Sequence, residues 1–231
     1  RGGAVVSAAD RIRHENAART AHQSVLCSEV VSALNPRAGE VFVDGTFGAE
    51  TIERFLHSSY DEFAGRAAVL NFLPLLAERF ARQRLHALAK VEGSAATGTP
   101  VVLFLCTHNA GRSQMALGFF NHIAAGRAIA WSGGSEPGTS VNPSAVAAMA
   151  ERGIDISSEY PKPWTDEVVR AADVVITMGC GDACPVFPGR RYEEWILDDP
   201  NGLDVAAVRP IRDEIERRVR ALIDELVPAT P

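Results

Sequence analysis

Residues 101–113 read Val-Val-Leu-Phe-Leu-Cys-Thr-His-Asn-Ala-Gly-Arg-Ser, and the junction inside them decides the fold. Val101–Leu105 is a short, uninterrupted apolar run, the pattern of a strand covered on both faces. The polar, glycine-containing loop that follows opens a helix from about Ser113. A strand that ends in a tight loop and feeds a helix begins a β-α-β unit, in which strands lie parallel and helices cover the sheet.

The chain beyond keeps this alternation. Ala128–Ser132 reads as a second strand, and Asn142-Pro143 as a cap plus first-turn proline opening a helix to about Arg152, stopped by Gly153. Thr165 caps a short helix, Asp173–Met178 is a third strand, and Tyr192–Leu197 a fourth. From about Pro210 to Leu226, Ile211, Ile215, Val219, Leu222 and Leu226 share one helical face. The expectation is an α/β three-layer sandwich with a four-stranded parallel sheet in residues 101–231.

Upstream, Val91–Pro100 (VEGSAATGTP) has the composition of a linker. Residues 51–90 read as part of a small all-α bundle. Ile52, Phe55, Leu56, Tyr60 and Phe63 recur at helical spacing behind Thr51 as N-cap, and Pro74 starts a second helix carrying Leu76, Phe80, Leu85 and Leu88. A third helix is expected within residues 7–35. Residues 1–50 form a separate segment without a clear assignment.

Composition narrows the function. The chain has 231 residues and a formal charge of −6, balanced over residues 1–92 and acidic over 93–231. It lacks the basic surplus of a nucleic-acid binder and any apolar run of the ~20 residues a membrane span requires. We expect a cytoplasmic protein that binds neither. Four cysteines are too few for a disulfide scaffold, so each is a free thiol, a ligand or a catalyst. Cys27, among apolar neighbours, suits a small core residue.

The loop Cys106-x5-Arg112-Ser113 carries the chemistry. At the carboxyl end of a strand, the N–H groups of Thr107, His108, Asn109, Ala110, Gly111 and Arg112 converge with a helix N-terminus into an oxyanion cradle. The Arg112 fork adds two parallel donors. Such electropositive surroundings favour thiolate over thiol, which makes Cys106 the candidate nucleophile and Ser113 a hydrogen-bond donor to its sulfur. His108 is assigned a structural hydrogen bond rather than a base role.

VLFLCTHNAGRSQMA resembles the phosphate loop of the low-molecular-weight tyrosine phosphatase fold, and through Gln114-Met115 the thioredoxin-coupled arsenate reductases on that fold. The resemblance continues through SGGSEPG (132–138), VNPSAVAAMAERGIDIS (141–157), PKPWTDEVVRAADVVITMGCGDACPVFPGRRYEEW (161–195) and LDDP (197–200), spanning about residues 100–226. Actinobacterial members of this group carry an N-terminal three-helix bundle, which residues 51–90 resemble.

The resemblance implies arsenate reduction in arsenic detoxification. Arsenate binds such a cradle as phosphate does, but reduction requires a second thiol that attacks the loaded cysteine. Cys180 and Cys184 are the candidates, and positions i and i+4 of a coiled segment are within disulfide reach. A Cys-x3-Cys pair also suits half of a zinc site, although no second ligand pair follows, or a purely structural role. Asp199 stands where both families place the carboxyl that protonates the leaving oxygen; the bland reading makes it a cap of the Pro-Asn-Gly turn. Asn201-Gly202 replace the aromatics that wall a phenyl ring in the phosphatases.

Some arsenate reductases hold potassium near the loop. Asn109 and Ser132 match two such ligands, but Leu117 and Lys162 fall where carboxylates are needed, so no metal is expected and Lys162 supplies the charge. No resident cofactor is implied. Electrons come from thioredoxin or from a low-molecular-weight thiol such as a mycothiol/mycoredoxin system. The competing readings are a tyrosine phosphatase and a non-catalytic arsenic-binding regulator. Residues 22–50 also resemble the start of bacterial ribosomal RNA cytosine methyltransferases, a likeness that breaks at Glu50 and leaves no room for that fold.

Overall fold

The computed structural model describes residues 47–64, 72–93, 98–179 and 186–227. The chain divides into two units, Arg1–Arg54 and Phe55–Pro231, and of the first only residues 47–54 are described. Cys27, the expected helix within residues 7–35 and most of the methyltransferase-like stretch lie outside the described residues, as do Cys180 and Cys184.

The elements are α1 (Ala49–Ala64), α2 (Leu73–Val91), β1 (Val101–Cys106), α3 (Arg112–Ala124), β2 (Ile129–Gly134), α4 (Pro143–Ala150), α5 (Asp166–Ala171), β3 (Val174–Met178), β4 (Arg191–Glu194) and α6 (Val205–Leu226). The four strands pair in parallel in the order β2-β1-β3-β4. Every residue of β1 is buried, and its alternation sorts side chains by layer. Val102, Phe104 and Cys106 join the core formed with α3, α4 and α6. Val101, Leu103 and Leu105 face Val168 and Val169 of α5 and Ala87 of α2. This is the expected three-layer arrangement.

Cap chemistry explains most boundaries. The Asn142 side chain accepts the Ser144 and Ala145 amides, and Pro143 occupies the first turn of α4. Thr165 is the N-cap residue of α5, yet its buried hydroxyl makes no cap bond. Two expected starts are corrected. Helix α1 begins at Ala49, with Thr51 donating its amide to the Gly48 carbonyl from inside the first turn. Helix α6 begins at Val205 because the Asp204 carboxylate takes the Ala207 amide, which leaves Pro210 inside the helix, where it forgoes one backbone bond.

Within the second unit, α1 from Phe55 onward and α2 pack through Phe63 on Phe80, edge to face with centroids 5.5 Å apart. Helix α2 then lies on α5, with Arg84 paired to Glu167 and Lys90 to Asp173. Burial dominates this contact. Against α5 the buried Ala87 of α2 meets Val168 and Val169, whereas Leu73 and Phe80, each 1 % exposed, cluster with Phe63 and Tyr160, and burying such a side chain is worth ~1.5–3 kcal/mol. The partly exposed Lys90–Asp173 pair contributes under ~1 kcal/mol.

Gly118, inside α3, lets that helix approach the segment after α4. A Cβ there meets Ile156 Cγ2 at 2.7 Å and Met149 Cε at 3.1 Å. Alanine is normally the better helix former by ~1 kcal/mol, but Ile156 is a branched, fully buried neighbour with little room to shift. Gly118→Ala should therefore destabilise the protein by about 1–3 kcal/mol in urea unfolding. A gain in stability would mean that the close approach is not what selects glycine.

Candidate active site

Residues 107–111 form a loop whose carbonyls are all bound outward. Thr107 O accepts the Glu136 amide, His108 O that of Gly138, Ala110 O that of Asn142 and Gly111 O that of Met115. Asn109 O accepts the Gln114 side-chain amide. The peptide is planar and trans, so a carbonyl turned out sends the next N–H inward. The amides of residues 108–112 therefore face the loop interior, where one of them, Asn109 N–H, reaches the Cys106 sulfur at 3.2 Å. The Gly111 N-cap of α3 has no side-chain cap, leaving the first turn of the helix open to an anion. Such a ring of amides can bind an oxyanion.

Cys106 is 3 % exposed at its floor. Its Sγ lies 2.9 Å from Ser113 Oγ, and Asn109 shapes the surroundings of that hydroxyl. Asn109 Oδ1 accepts the Lys162 amide at 3.0 Å and Gln114 Nε2 at 3.2 Å. Its Nδ2 consequently donates to Ser113 Oγ at 2.9 Å. Asn109 takes one of the two acceptor sites of Oγ, which leaves the Ser113 hydrogen available to Cys106, and a Cys106 thiolate, having no proton to give, would accept it. Sulfur thus accepts the Asn109 amide and sits within hydrogen-bond distance of the Ser113 hydroxyl. Asn109 adopts φ 47° to do this, a conformation Asn tolerates better than most residues.

Arg112 is held in place from several directions. Its Nη2 pairs with Asp199 Oδ2 at 3.0 Å, and Nη1 lies 3.5 Å from Leu197 O. Asp199 Oδ1 accepts the Asn201 amide at 3.0 Å. The turn-capping and the site-facing readings of Asp199 thus coexist, one on each oxygen. A cleft of about 590 Å³ opens above Cys106 and Arg112, bounded by Asp199, residues 138–144 and 200–203, and it carries no Phe, Tyr or Trp among its described lining residues. His108 Nδ1 lies 3.0 Å from the Glu136 carbonyl, a structural contact.

The structure brings together Cys106, Arg112, Ser113 and Asp199. It also reveals contributors that sequence reasoning missed or misread. Gly179 has φ 75°, and a Cβ there would lie 2.8 Å from Arg112 Nη1; its carbonyl accepts the Thr107 hydroxyl at 2.8 Å. Gly134 admits the loop, since its Cβ would meet Thr107 O at 2.6 Å, and Gly111 admits Pro200 Cγ at 2.5 Å. Only the recurrence of glycine in SGGSEPG and MGCG hinted at this. Gln114 reaches Asn109 and the Tyr160 carbonyl.

The expected potassium ligands lie apart in character. Asn109 is committed to the hydrogen bonds above, Ser132 Oγ is buried without a partner, and Leu117 belongs to the core. Among the described residues no three of His, Cys, Asp and Glu converge. Lys162 is 3 % exposed, with Nζ 3.5 Å from Tyr160 O, 3.8 Å from Glu159 Oε2 and 4.6 Å above the Tyr160 ring. Burial, reinforced by Arg79 and opposed by Glu159, pushes Lys162 down to about 8.

The low molecular weight phosphotyrosine protein phosphatase family matches residues 101–229, and the protein-tyrosine-phosphatase-like N-terminal domain matches residues 40–89. A thioredoxin-dependent arsenate reductase of Corynebacterium glutamicum superposes with a TM-score of 0.75 at 40% identity, over 91% of this chain and 99% of that one. A putative arsenate reductase of Halobacterium salinarum is 37% identical over 54% of this chain and 92% of its own. A glutaredoxin arsenate reductase of Synechocystis is 38% identical over 54% and 97%.

The depressed Lys162 has a consequence for stability. Its folded value of about 8 lies below the ordinary 10.5, so between these values the unfolded chain binds more protons and stability rises with pH. Relative to Lys162→Met, the wild type should gain roughly 2 kcal/mol between pH 7 and pH 9.5. Paired urea titrations at the two pH values measure this, and a difference that stays flat or falls contradicts the assignment.

Proposed function

The chain belongs to the low molecular weight phosphotyrosine protein phosphatase family, and we propose that within it the protein is an arsenate reductase acting through the Cys106 thiolate. The observation that carries this reading is the sulfur of Cys106 accepting the Asn109 amide and lying 2.9 Å from the Ser113 hydroxyl at the floor of an inward-facing ring of amides. The identity of 40% to a thioredoxin-dependent arsenate reductase over nearly the whole chain supports the choice of arsenate.

Arsenate enters the cradle with its oxygens on the loop amides and on the Arg112 fork. The Cys106 thiolate attacks arsenic, an As–O bond breaks, and Asp199 supplies the proton with which the oxygen leaves as water. Ser113 and Asn109 hold the sulfur in line. A second thiolate, Cys180, then attacks Cys106 Sγ. The S–As electron pair departs with arsenic, which leaves as arsenite, and a Cys106–Cys180 disulfide forms. Attack by Cys184 on the Cys180 sulfur frees Cys106 and leaves a Cys180–Cys184 disulfide for an external dithiol to reduce. No resident metal or cofactor takes part in this scheme.

We assign thioredoxin as the reductant, on the strength of the Corynebacterium relative; a mycothiol/mycoredoxin-type system is the alternative. No helix among the described residues is long and apolar enough to cross a membrane, and the scheme suits the reducing cytoplasm. The phosphatase reading keeps the cradle but lacks its aromatic wall, because Asn201 and Gly202 follow Pro200 and the cleft carries no aryl-stacking ring. Slow hydrolysis of p-nitrophenyl phosphate is therefore expected, without efficient cleavage of phosphotyrosine peptides.

Cys106→Ser should abolish arsenate-dependent NADPH oxidation in the presence of thioredoxin and its reductase while retaining phosphate binding. Cys184→Ser should release about one arsenite per chain, the turnover left when a relay stops at its second disulfide, and accumulate a Cys106–Cys180 disulfide on peptide mapping. Cys180→Ser should stall earlier, with arsenic still on Cys106. Undiminished multiple turnover in both resolving-cysteine variants would discard the relay, and phosphotyrosine-peptide hydrolysis without arsenate reduction would put the phosphatase first.

A further inference from the structure

The segment Ser158–Trp164 forms a strap between the helix pair and the catalytic loop. It lies against the end of β2, where Gly134 N donates to Lys162 O and Trp164 N to Gly134 O. On its inner side, Lys162 N–H and the Tyr160 carbonyl meet the loop. The first donates to Asn109 Oδ1, and the second accepts Gln114 Nε2 at 3.1 Å, the same amide that binds Asn109. These contacts set the orientation of the Asn109 carboxamide. That orientation in turn decides whether the Ser113 hydrogen points at Cys106 or away from it.

On its outer side the strap is gripped by helix α2. Arg79 Nη1 donates to Ser158 O at 2.8 Å, and Nη2 lies 3.4 Å from Glu159 Oε1. The Arg79 guanidinium stacks over the Tyr160 ring at 4.9 Å, while Phe63 of α1 meets that ring edge-on at 5.6 Å. Phe63, Leu73, Phe80 and Tyr160 form one buried cluster. Tyr160 is thus clamped between two helices on one side and the Lys162 ammonium on the other.

We infer that the helix pair is a positioning element for the nucleophile: Arg79 and Tyr160 hold the strap, the strap orients Asn109, and Asn109 directs the hydrogens donated to the Cys106 sulfur. The sheet and the loop carry the reacting atoms, but the last determinant of the Asn109 orientation comes from a segment that the loop itself does not anchor. Arg79 and Tyr160 touch neither substrate nor sulfur and act through Asn109. The inference rests on Cys106 being the thiolate nucleophile, and it gives residues 55–91 a part in the chemistry besides their share of the core.

Iodoacetamide alkylation of Cys106 in the full chain tests it, read as the ratio of the rate at pH 5.5 to the rate at pH 7.5. A change in access of the reagent alters both rates alike and cancels, whereas a change in thiolate fraction alters the ratio. The charged groups on the network are Arg112 from the loop, Glu159 and Lys162 from the strap and Arg79 from α2. Lys162, lowered to about 8, is charged at pH 5.5 and mostly charged at pH 7.5, and the His108 contact with Glu136 involves none of the substituted residues. Arg79→Ala and Tyr160→Ala should each lower the ratio about threefold, the effect of partly losing a hydrogen bond to a charged acceptor. Tyr160→Phe, which keeps the ring and the carbonyl, should behave as wild type.

Arg79 is a partly exposed side chain on the outer face of α2, so Arg79→Ala carries the test if Tyr160→Ala does not fold. A ratio unmoved in Arg79→Ala, with or without a lowered melting temperature, overturns the inference and leaves the helices a structural role. A wild type alkylated only at the alkaline pH of an ordinary thiol instead removes the nucleophile reading on which the inference stands.

Discussion

The orientation of the peptide groups in residues 107–111 is the constraint on which the rest of the site depends. An isolated loop of this length has no reason to turn every carbonyl outward, because water satisfies either face. Here the partners are supplied from outside: the turn after β2, the cap of α4, and the first turn of α3 with Gln114. Each outward bond is worth only ~1 kcal/mol net. Collectively they leave the amides no partner but an anion or the sulfur. The glycines at 134 and 111 permit this by admitting Thr107 and Pro200 to distances no side chain allows. A cradle for oxyanions is thus a property of four segments, and the loop sequence names only one of them.

That division explains what was legible in the sequence. Strands β1 and β3, the cap at Asn142, and the Cys106–Ser113 loop are encoded locally, in apolar runs and in residues a few positions apart, whereas Thr165 marks the start of α5 without the cap bond its residue type suggests. The start of α6 was misjudged because a proline normally marks a first turn, whereas the Asp204 carboxylate caps the helix six residues earlier. The backbone role of Lys162 and the contacts of Gln114 and Gly179 escaped because their significance lies in approaches between segments far apart in sequence. Lys162 N reaches Asn109 across 53 residues, and Gly179 meets an arginine guanidinium across a sheet pairing. No periodicity announces such contacts. Asp199 shows the opposite failing, in that two readings treated as rivals prove compatible once its two oxygens are seen to have separate partners.

Lys162 illustrates how the fold tolerates a costly group next to its chemistry. A fully buried ammonium held at 3.5 Å or more from its oxygen partners is incompletely compensated, which is why burial depresses it. Its backbone amide, not its charge, makes the contact with Asn109. The side chain therefore serves chiefly to fill the space against Tyr160 with a cation–π contact, while the main chain orients the carboxamide. The expectation that Lys162 stands in for a potassium ion concerns the charge, and the geometry adds a second, uncharged task to the same residue.

The sheet order explains why a thiol relay can be built on a cradle that otherwise serves hydrolysis. In the order β2-β1-β3-β4, the chain leaving β1 passes through α3 toward β2, and β3 lies on the opposite side. Adjacent parallel strands whose connections depart in opposite directions open a crevice at their carboxyl ends, the usual place for a ligand in such sheets. Cys106 ends β1 at this crevice, and its Cα partner on β3 is Met178. Gly179 follows, with its carbonyl on Thr107 and its Cα against Arg112. A hydrolase on this sheet needs only water in the crevice. A reductase needs a thiol tethered at its rim, and the end of β3 is a strand terminus that borders the crevice beside Cys106.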